Sequence, residues 1–382
     1  MNLKYINFNS KRRFGIEIEI NRHLTQQQLV SMVKKVVGEK KCVISGWGYD
    51  CNNTNWIIKT DSTCGDQGNK DLDGGGYEVA SAVGKGVKHL KRIDGVTKIL
   101  KESQAQINQY CGFHCQVEIK DFTTTQAATL LAYWCKIENW ISHMVPPNRV
   151  NHKFCQFFTL RDKWNQIAKV TDAAEFWNLM KLRRLDPSAK RTSISLINYQ
   201  RTHSTSSEWS NFDRPTVELR VPECSLDAYN LKNWTRFFVH FVETCANKPF
   251  PNLKPVAFKE FLEIAGLQSP DGFSILSPGL FETKCWLLHR LEKYCKLNSV
   301  YADIKEYTAR ITAEGVKCQF EFGFNKQEAL DVKLDLQKFK PKKCKTEKAT
   351  DEIHAEIAKK AVEALMKPKY SRPYSLYYED DY

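Results

Sequence analysis

Acidic side chains recur at alternate positions in the first part of the chain, where they could bind divalent cations. Glu17 and Glu19 lie two residues apart in the segment FGIEIEI. In a β-strand such residues point to one face, and Ile16, Ile18 and Ile20 then point to the opposite face. Two carboxylates on one strand face either contact solvent or hold cations, and this segment alone leaves both interpretations open.

Three further segments alternate apolar and polar side chains in the same way. Glu78 lies in GYEVAS, His114 and Gln116 lie in GFHCQVEI, and Glu218 and Arg220 lie in TVELRV. If these strands share one sheet, their polar side chains form a carboxylate-rich floor. Several carboxylates gathered in a buried place need counter-cations to stay ionised. Carboxylates with one imidazole and no set of thiolates favour Mg²⁺ or Mn²⁺ over zinc.

A nucleotide is a suitable ligand for such a floor, because magnesium bound by carboxylates is commonly completed by phosphate oxygens. The phosphate-loop pattern GxxxxGK[ST] is absent, and GGGYE lacks the strand–glycine–helix context of a dinucleotide site. We therefore expect metals, arginines and the sheet to hold the nucleotide. The net charge of +13 is compatible with ATP, an acidic substrate or nucleic acid, and does not choose among them.

Turn and helix signals predict that these strands belong to a mixed architecture. Strands are predicted at residues 14–20, 42–45, 56–60, 77–82, 112–119, 192–199 and 216–221. Helices are predicted at 24–37, 87–109, 123–142, 172–184, from 225 or 227 to 245, and at 259–265, 280–297 and 351–366. The predicted fold is α+β, with a mainly antiparallel sheet, flanking helices and a helical C-terminal region. The predicted division is a catalytic domain at 1–246, a helical region at 247–337, and a basic linker, charged helix and tail at 338–382.

The composition of the 382-residue chain, 42% hydrophobic, is typical of a globular protein. No run of about 18 apolar residues is present, and the N-terminal residues lack the apolar region of a secretory signal. We therefore expect a cytoplasmic protein with no membrane partner. The thirteen cysteines are expected to be reduced and mostly buried. Cys111 and Cys115 flank His114 and are interpreted as packing residues, with metal ligation as the alternative.

The ordered segments FGIEIEI, WIIKTDST, GYEVAS, CGFHCQV, NRVN and TVELR resemble the amidoligase family. That family belongs to the superfamily of glutamine synthetase and glutamate–cysteine ligase, and the resemblance covers about residues 12–246. It implies an antiparallel sheet of the glutamine synthetase and glutamate–cysteine ligase type, whose glutamates hold two or three Mg²⁺ ions around the phosphates of ATP. The resemblance assigns metal or phosphate-site roles to Glu17, Glu19, Glu78, His114 and Glu218.

The same resemblance implies roles for residues around the floor. Asp61, in KTDST, is similar to an acidic residue near the amine or the metal, and Arg220 to the arginine that contacts phosphate or acyl phosphate. Arg149, in NRVN, resembles an arginine that binds the substrate carboxylate, a task that suits a guanidinium fork, and an ordinary surface arginine is the alternative. Asn198 ends a segment similar to an Asn-containing substrate element. Gln116 stands where the family often has a second histidine, and its amide could bind metal or substrate.

The reaction that this resemblance implies is ATP-dependent amide formation. A carboxylate attacks the γ-phosphoryl group of ATP to give an acyl phosphate, and an amine then displaces phosphate. Small molecules, peptides or proteins would supply the two groups, as in isopeptide or γ-glutamyl bonds. The glycine-rich segment 65–76 is predicted to close over the site and exclude water. Two alternatives stay open: an inactive nucleic-acid-binding or structural protein on the same fold, and a metal-dependent phosphotransferase or nuclease.

Overall fold

A computed structural model describes residues 5–6, 11–21, 24–45, 54–64, 75–150, 152–160, 164–180, 191–203, 214–268 and 275–294. The glycine-rich segment that is predicted to close over the site lies outside these residues, apart from Gly75 and Gly76. The predicted basic linker, charged helix and tail after residue 337 lie outside them as well.

The described part of the chain contains nine strands. They are β1 Tyr5–Ile6, β2 Phe14–Ile20, β3 Cys42–Ile44, β4 Trp56–Asp61, β5 Gly76–Ala80, β6 Phe113–Glu118, β7 Ile194–Ser195, β8 Thr216–Leu219 and β9 Ile275–Leu276. Seven of them form one sheet in the order β3-β4-β5-β2-β6-β8-β7. Within this sheet β3 and β4 run parallel and every other neighbouring pair is antiparallel. The predicted, mainly antiparallel sheet is therefore confirmed.

Ten α-helices lie in the described residues. They are α1 Gln26–Val37, α2 Gly86–Glu102, α3 Thr124–Ser142, α4 Pro147–Val150, α5 Trp164–Ile167, α6 Ala173–Met180, α7 Ile197–Thr202, α8 Ala228–Cys245, α9 Phe258–Ile264 and α10 Pro278–Tyr294. The two threonines before α1 and α3, Thr25 and Thr123, each form a capping box with the glutamine three residues later. The predicted α+β class is confirmed.

Two predicted elements end at least four residues earlier than expected. The strand predicted at 192–199 is wrong in its second half, because β7 ends at Ser195 and α7 begins at Ile197. The Ser195 hydroxyl accepts a hydrogen bond from the Ile197 N–H at 3.4 Å, which supports the change of direction. The helix predicted at 87–109 ends at Glu102, shortly before Gln104 takes a left-handed φ of 58°.

The sheet divides its side chains between an apolar core and a polar face. Ile16, Ile18 and Ile20 of the central strand β2 are fully buried in the core. On the core side α8 packs against β6, and α1 packs against β3 and β4. Because side chains alternate along a strand, Glu17 and Glu19 must then lie on the opposite face, where the candidate site forms.

The nine cysteines within the described residues are all buried free thiols, as expected for a reduced protein. Cys111 and Cys115, on either side of His114, belong to the apolar core. Among the described helices, none has both the length and the apolar character needed to cross a membrane.

Candidate active site

Strand register places the predicted acidic residues side by side on one face of the sheet. Glu19 of β2 pairs with Glu78 of β5, and Glu17 of β2 pairs with His114 of β6. Beyond β6, strand β8 continues the row with Glu218. Residues directly opposite each other on neighbouring strands share a face, so side chains from four strands meet in one polar floor.

This floor opens into a cavity of about 410 Å³. The residues that the sequence singled out all line this cavity: Glu17, Glu19, Asp61, Glu78, His114, Gln116, Arg149, Asn198, Glu218 and Arg220. The structure therefore brings together every residue of the predicted site. Their individual roles in metal binding, catalysis and substrate binding stay predictions.

His114 lies in the middle of the floor, within reach of three carboxylates. Its Nδ1 is 3.0 Å from Glu17 Oε2 and 3.5 Å from Glu218 Oε1, and its Nε2 is 3.5 Å from Glu19 Oε1. Ligand atoms of Glu17, His114 and Glu218 lie within 4.8 Å of one another. One imidazole nitrogen and two carboxylate oxygens at this spacing could hold a divalent cation.

The carboxyls of Glu17 and Glu78 have opposite pKa shifts. Burial favours a raised pKa for Glu17, but its hydrogen bond with His114 and the charge of Lys59 outweigh burial and hold the pKa well below its ordinary value. Burial and then the negative charge of Glu17 raise the pKa of Glu78 well above its ordinary value, although Lys59 opposes this. The neighbouring charge of Glu17 thus disfavours ionisation of Glu78, and a cation bound at the floor would favour its ionised form.

Two of the arginines that line the cavity, Arg220 and Arg149, come from the segment at the end of β8 and from α4. Arg220 Nη1 lies 2.5 Å from Glu218 Oε1. Burial alone would lower the pKa of Arg220, but the charges of Glu218 and Glu17 outweigh burial and raise the pKa. Arg149 is 2% exposed and donates through Nε to the Val221 carbonyl at 3.2 Å and through Nη2 to the Arg220 carbonyl at 2.8 Å. The alternative that Arg149 is an ordinary surface arginine is therefore wrong.

Local hydrogen bonds hold Asp61 and Asn198 at the cavity wall. Asp61 ends β4, and its Oδ1 accepts from the N–H and the hydroxyl of Thr63, both at 2.7 Å. Asn198 lies on helix α7 and not on a strand, and its Nδ2 donates to the Thr216 hydroxyl at 3.1 Å. Gln116 Nε2 donates to a Glu17 carboxylate oxygen at 2.8 Å, so its own carbonyl oxygen is directed away from that contact.

The cavity also contains charged and titratable residues that the sequence pattern did not identify. Lys59 lies two residues before Asp61 on β4, so the alternation that located the glutamates was a sufficient signal for it. Arg201 follows Asn198 by about one helical turn, and this spacing brings both side chains to the cavity because α7 is a helix and not a strand. His152 follows α4, and burial, then the charge of Arg149, lower its pKa to about 4, which leaves its imidazole neutral at pH 7.

Carboxylates and arginines on the polar face of an antiparallel sheet are side chains that can bind divalent cations and phosphorylated ligands. The chain belongs to the family described as "Putative amidoligase enzyme", which it matches over residues 10–242. Membership of this family supports a carboxylate–amine ligase in general terms.

Comparisons with individual proteins add little to the family match. No curated protein matches the chain. Among solved structures, a bifunctional glutathione synthetase from Pasteurella multocida is similar at 10% sequence identity and a TM-score of 0.31. The alignment covers 93% of this chain and 52% of that one, so the chain spans about half the length of that protein.

Proposed function

We propose that this protein is an ATP-dependent carboxylate–amine ligase that requires Mg²⁺ or Mn²⁺ and forms an amide bond through an acyl phosphate. The observation that carries the proposal is the meeting of Glu17, His114 and Glu218 with Arg220 in one cavity of an amidoligase-family chain. The mostly antiparallel seven-stranded sheet supports assignment to the glutamine synthetase and glutamate–cysteine ligase type. The proposed partners are carboxylate and amine substrates, as small molecules, peptides or proteins, in the cytoplasm.

The donor set of the floor fits a hard divalent cation. Glu17, His114 and Glu218 would hold one ion, and Glu19 and Asp61 form part of a second close group of possible ligands. The pKa of Glu78, raised by burial and then by the charge of Glu17, supports a cation site because the metal would favour the ionised carboxyl. When bound, the cations would neutralise phosphate oxygens and make the transferred phosphoryl group more electrophilic.

The remaining cavity residues would position the substrates. Arg220 would contact the transferred phosphoryl group, where a guanidinium can donate to two oxygens at once. Arg149 donates through Nε and Nη2 to two backbone carbonyls, and its N–H groups outside these two bonds would bind the substrate carboxylate. Asp61 would orient the amine or accept its proton. Asn198 and Gln116 would supply amide groups to the substrates.

Two other functions use some of the same residues and are less well supported. Five carboxylates and five lysine or arginine side chains line the cavity, so without bound cations its charges would give a nucleic acid no net attraction. A phosphotransferase or nuclease could use the same metal ligands, but it would not need an amine.

Amide ligation is tested by measuring ADP release from the full chain with ATP, Mg²⁺ and panels of carboxylates and amines. We expect ADP release to require Mg²⁺ and to rise when both substrates are present. Carboxylate labelled with ¹⁸O should transfer one labelled oxygen to the released phosphate, as an acyl phosphate requires. ADP release that does not depend on the amine would favour a phosphotransferase. Salt-sensitive nucleic-acid binding without ATP turnover would favour an inactive nucleic-acid-binding protein.

Lys59→Met should tighten Mn²⁺ binding about tenfold, or about 1.4 kcal/mol. Lys59 Nζ lies 2.7 Å from Glu78 Oε1, so its ammonium competes with a metal for the same negative charge. The Lys59 side chain is 42% exposed, and solvent screening limits the effect. Mn²⁺ titration followed by electron paramagnetic resonance measures the change. Lys98→Met, which removes a surface pair with Glu102, is the matched control, and equal affinities in the two variants would contradict the prediction.

A further inference from the structure

We infer that Arg290, on α10, is a positioning residue that holds two of the cavity arginines, Arg149 and Arg220, in place. The inference rests on the proposed function, in which Arg149 and Arg220 bind the reacting groups. Helix α10 lies outside residues 10–242, which match the amidoligase family, and it packs against α8. The Arg290 guanidinium bridges the segment that leads to Arg149 and the segment that follows Arg220.

The first contact fixes the approach to Arg149. Arg290 Nε donates to the Met144 carbonyl at 2.5 Å. Met144 follows the end of α3, and the chain then passes through Pro146 and Pro147 into the short helix α4 that carries Arg149. The Arg149 N–H in turn donates to the Pro146 carbonyl at 2.9 Å. This connection is short and stiffened by two prolines, so a displacement of Met144 would be passed on to Arg149.

The second contact fixes the segment that follows Arg220. Arg290 Nη2 lies 2.6 Å from one carboxylate oxygen of Glu223 and 2.9 Å from the other. Glu223 is three residues beyond Arg220, and the carbonyls of Arg220 and Val221 are the acceptors that hold the Arg149 guanidinium. A shift of Glu223 would therefore disturb Arg149 and Arg220 together.

The same segment also reaches the acidic floor. Glu223 forms an antiparallel bridge with Gly112, and the Cys224 N–H donates to the Cys111 carbonyl at 3.0 Å. The Gly112 N–H donates to Glu19 Oε2 at 2.5 Å. Arg290 is thus connected, through Glu223 and then Gly112, to Glu19, one of the proposed cation ligands.

The surroundings of Arg290 leave its guanidinium little freedom to reorient. The residue is 4% exposed, and its guanidinium carbon lies 5.4 Å from the ring centre of Trp234, 5.8 Å from that of Trp286 and 5.0 Å from that of Tyr294. Burying a charge carries a desolvation cost that an apolar side chain of the same size would avoid. A buried arginine that contacts two segments is therefore better suited to fixing geometry than to adding stability.

The same pair of helices offers a matched control. Arg236 on α8 lies 2.7 Å from Glu282 on α10, and both side chains are buried. This ion pair joins α8 to α10. Within the described part of the chain, the ion pairs of its two residues involve no residue of segments 143–150 or 220–224. Its removal should loosen the attachment of α10 without acting directly on the cavity arginines.

Hydrogen–deuterium exchange of the full chain tests the inference without any need for turnover. In Arg290→Met, Arg290→Lys and Glu223→Gln we expect exchange in segments 143–150 and 220–224 to become about tenfold faster. Arg236→Met should leave exchange in both segments within about twofold of wild type. Glu223→Gln removes the charge that pairs with Arg290 and keeps the Arg290 guanidinium among its three aromatic rings. It therefore remains informative if Arg290→Met does not fold.

The ADP-release assay supplies the second readout. Arg290→Lys should lower kcat/KM for the carboxylate substrate about 10- to 100-fold, because a small misplacement of positioning groups is costly, and Arg236→Met should stay within about twofold. Unchanged exchange in the two segments, or an equal increase in Arg236→Met, would overturn the inference. Absence of turnover in the wild-type chain would instead count against the proposed function, and the exchange experiment would still decide the role of Arg290.

Discussion

Glu17→Gln is expected to lower Mg²⁺-dependent ADP formation about 10²- to 10³-fold. Glu17 is held between His114 Nδ1 at 3.0 Å and Gln116 Nε2 at 2.8 Å. The substitution keeps the size of the side chain but removes its negative charge, so the group formed with His114 and Glu218 loses one anionic ligand. The rate is measured at saturating ATP with the best carboxylate and amine pair.

A matched control separates this effect from a general response to losing a glutamate on the sheet. Glu118→Gln makes the same change on β6 at a residue that pairs with Arg13 at 3.7 Å and lies outside the cavity lining. We expect its turnover to stay within about twofold of wild type, because exposed pairs contribute little. The increase in thermal stability produced by Mg²⁺ should shrink in Glu17→Gln and persist in Glu118→Gln. Full turnover in Glu17→Gln would show that the metal assignment is wrong.

Arg220→Lys is expected to lower kcat about 10³-fold while leaving the fold intact. The Arg220 guanidinium pairs with Glu218 at 2.5 Å and still has N–H groups that can point into the cavity. Lysine keeps the charge, but a single ammonium cannot bind Glu218 and two oxygens of a phosphoryl group in the same geometry. Steady-state kinetics give kcat and KM separately, and circular dichroism reports on folding.

The control for Arg220→Lys is Arg13→Lys, at a residue whose side chain is 51% exposed. It makes the same chemical change away from the cavity and should leave both kinetic constants unchanged. A rise in KM for ATP with unchanged kcat in Arg220→Lys would mean that Arg220 binds substrate and transition state equally. That result would contradict its role in phosphoryl transfer.

The glutamates of the site could be predicted because the strands are regular. Glu17 and Glu19 alternate with buried isoleucines, so their shared face follows from strand geometry alone. The same rule applies to Lys59 and Asp61 on β4, but only Asp61 was predicted, and that prediction came from the family resemblance. The order of the segments that resemble the amidoligase family then linked strands that are far apart in the chain. Alternation within a single strand cannot supply that link.

Asn198 and Arg290 show where prediction from the sequence ends. Alternating apolar residues favoured a strand at 192–199, but the chain turns after Ser195 and forms α7, which carries Asn198 into the cavity. Arg290 lies on a helix that the pattern of apolar residues predicts. Nothing in that pattern indicates contacts with residues as distant in the chain as Met144 or Glu223. Both outcomes depend on contacts between segments that are remote in sequence.

The sequence by itself determined which side chains of each strand are polar, and hence which residues a metal-binding floor would contain. Only the tertiary structure decided which of them are neighbours, because strand register is set by packing and pairing between distant segments. It placed Glu17 opposite His114 and Glu19 opposite Glu78, and it shifted the pKa values of Glu17 and Glu78 in opposite directions. Those shifts depend on burial and on the distances between charges, which exist only in the folded chain.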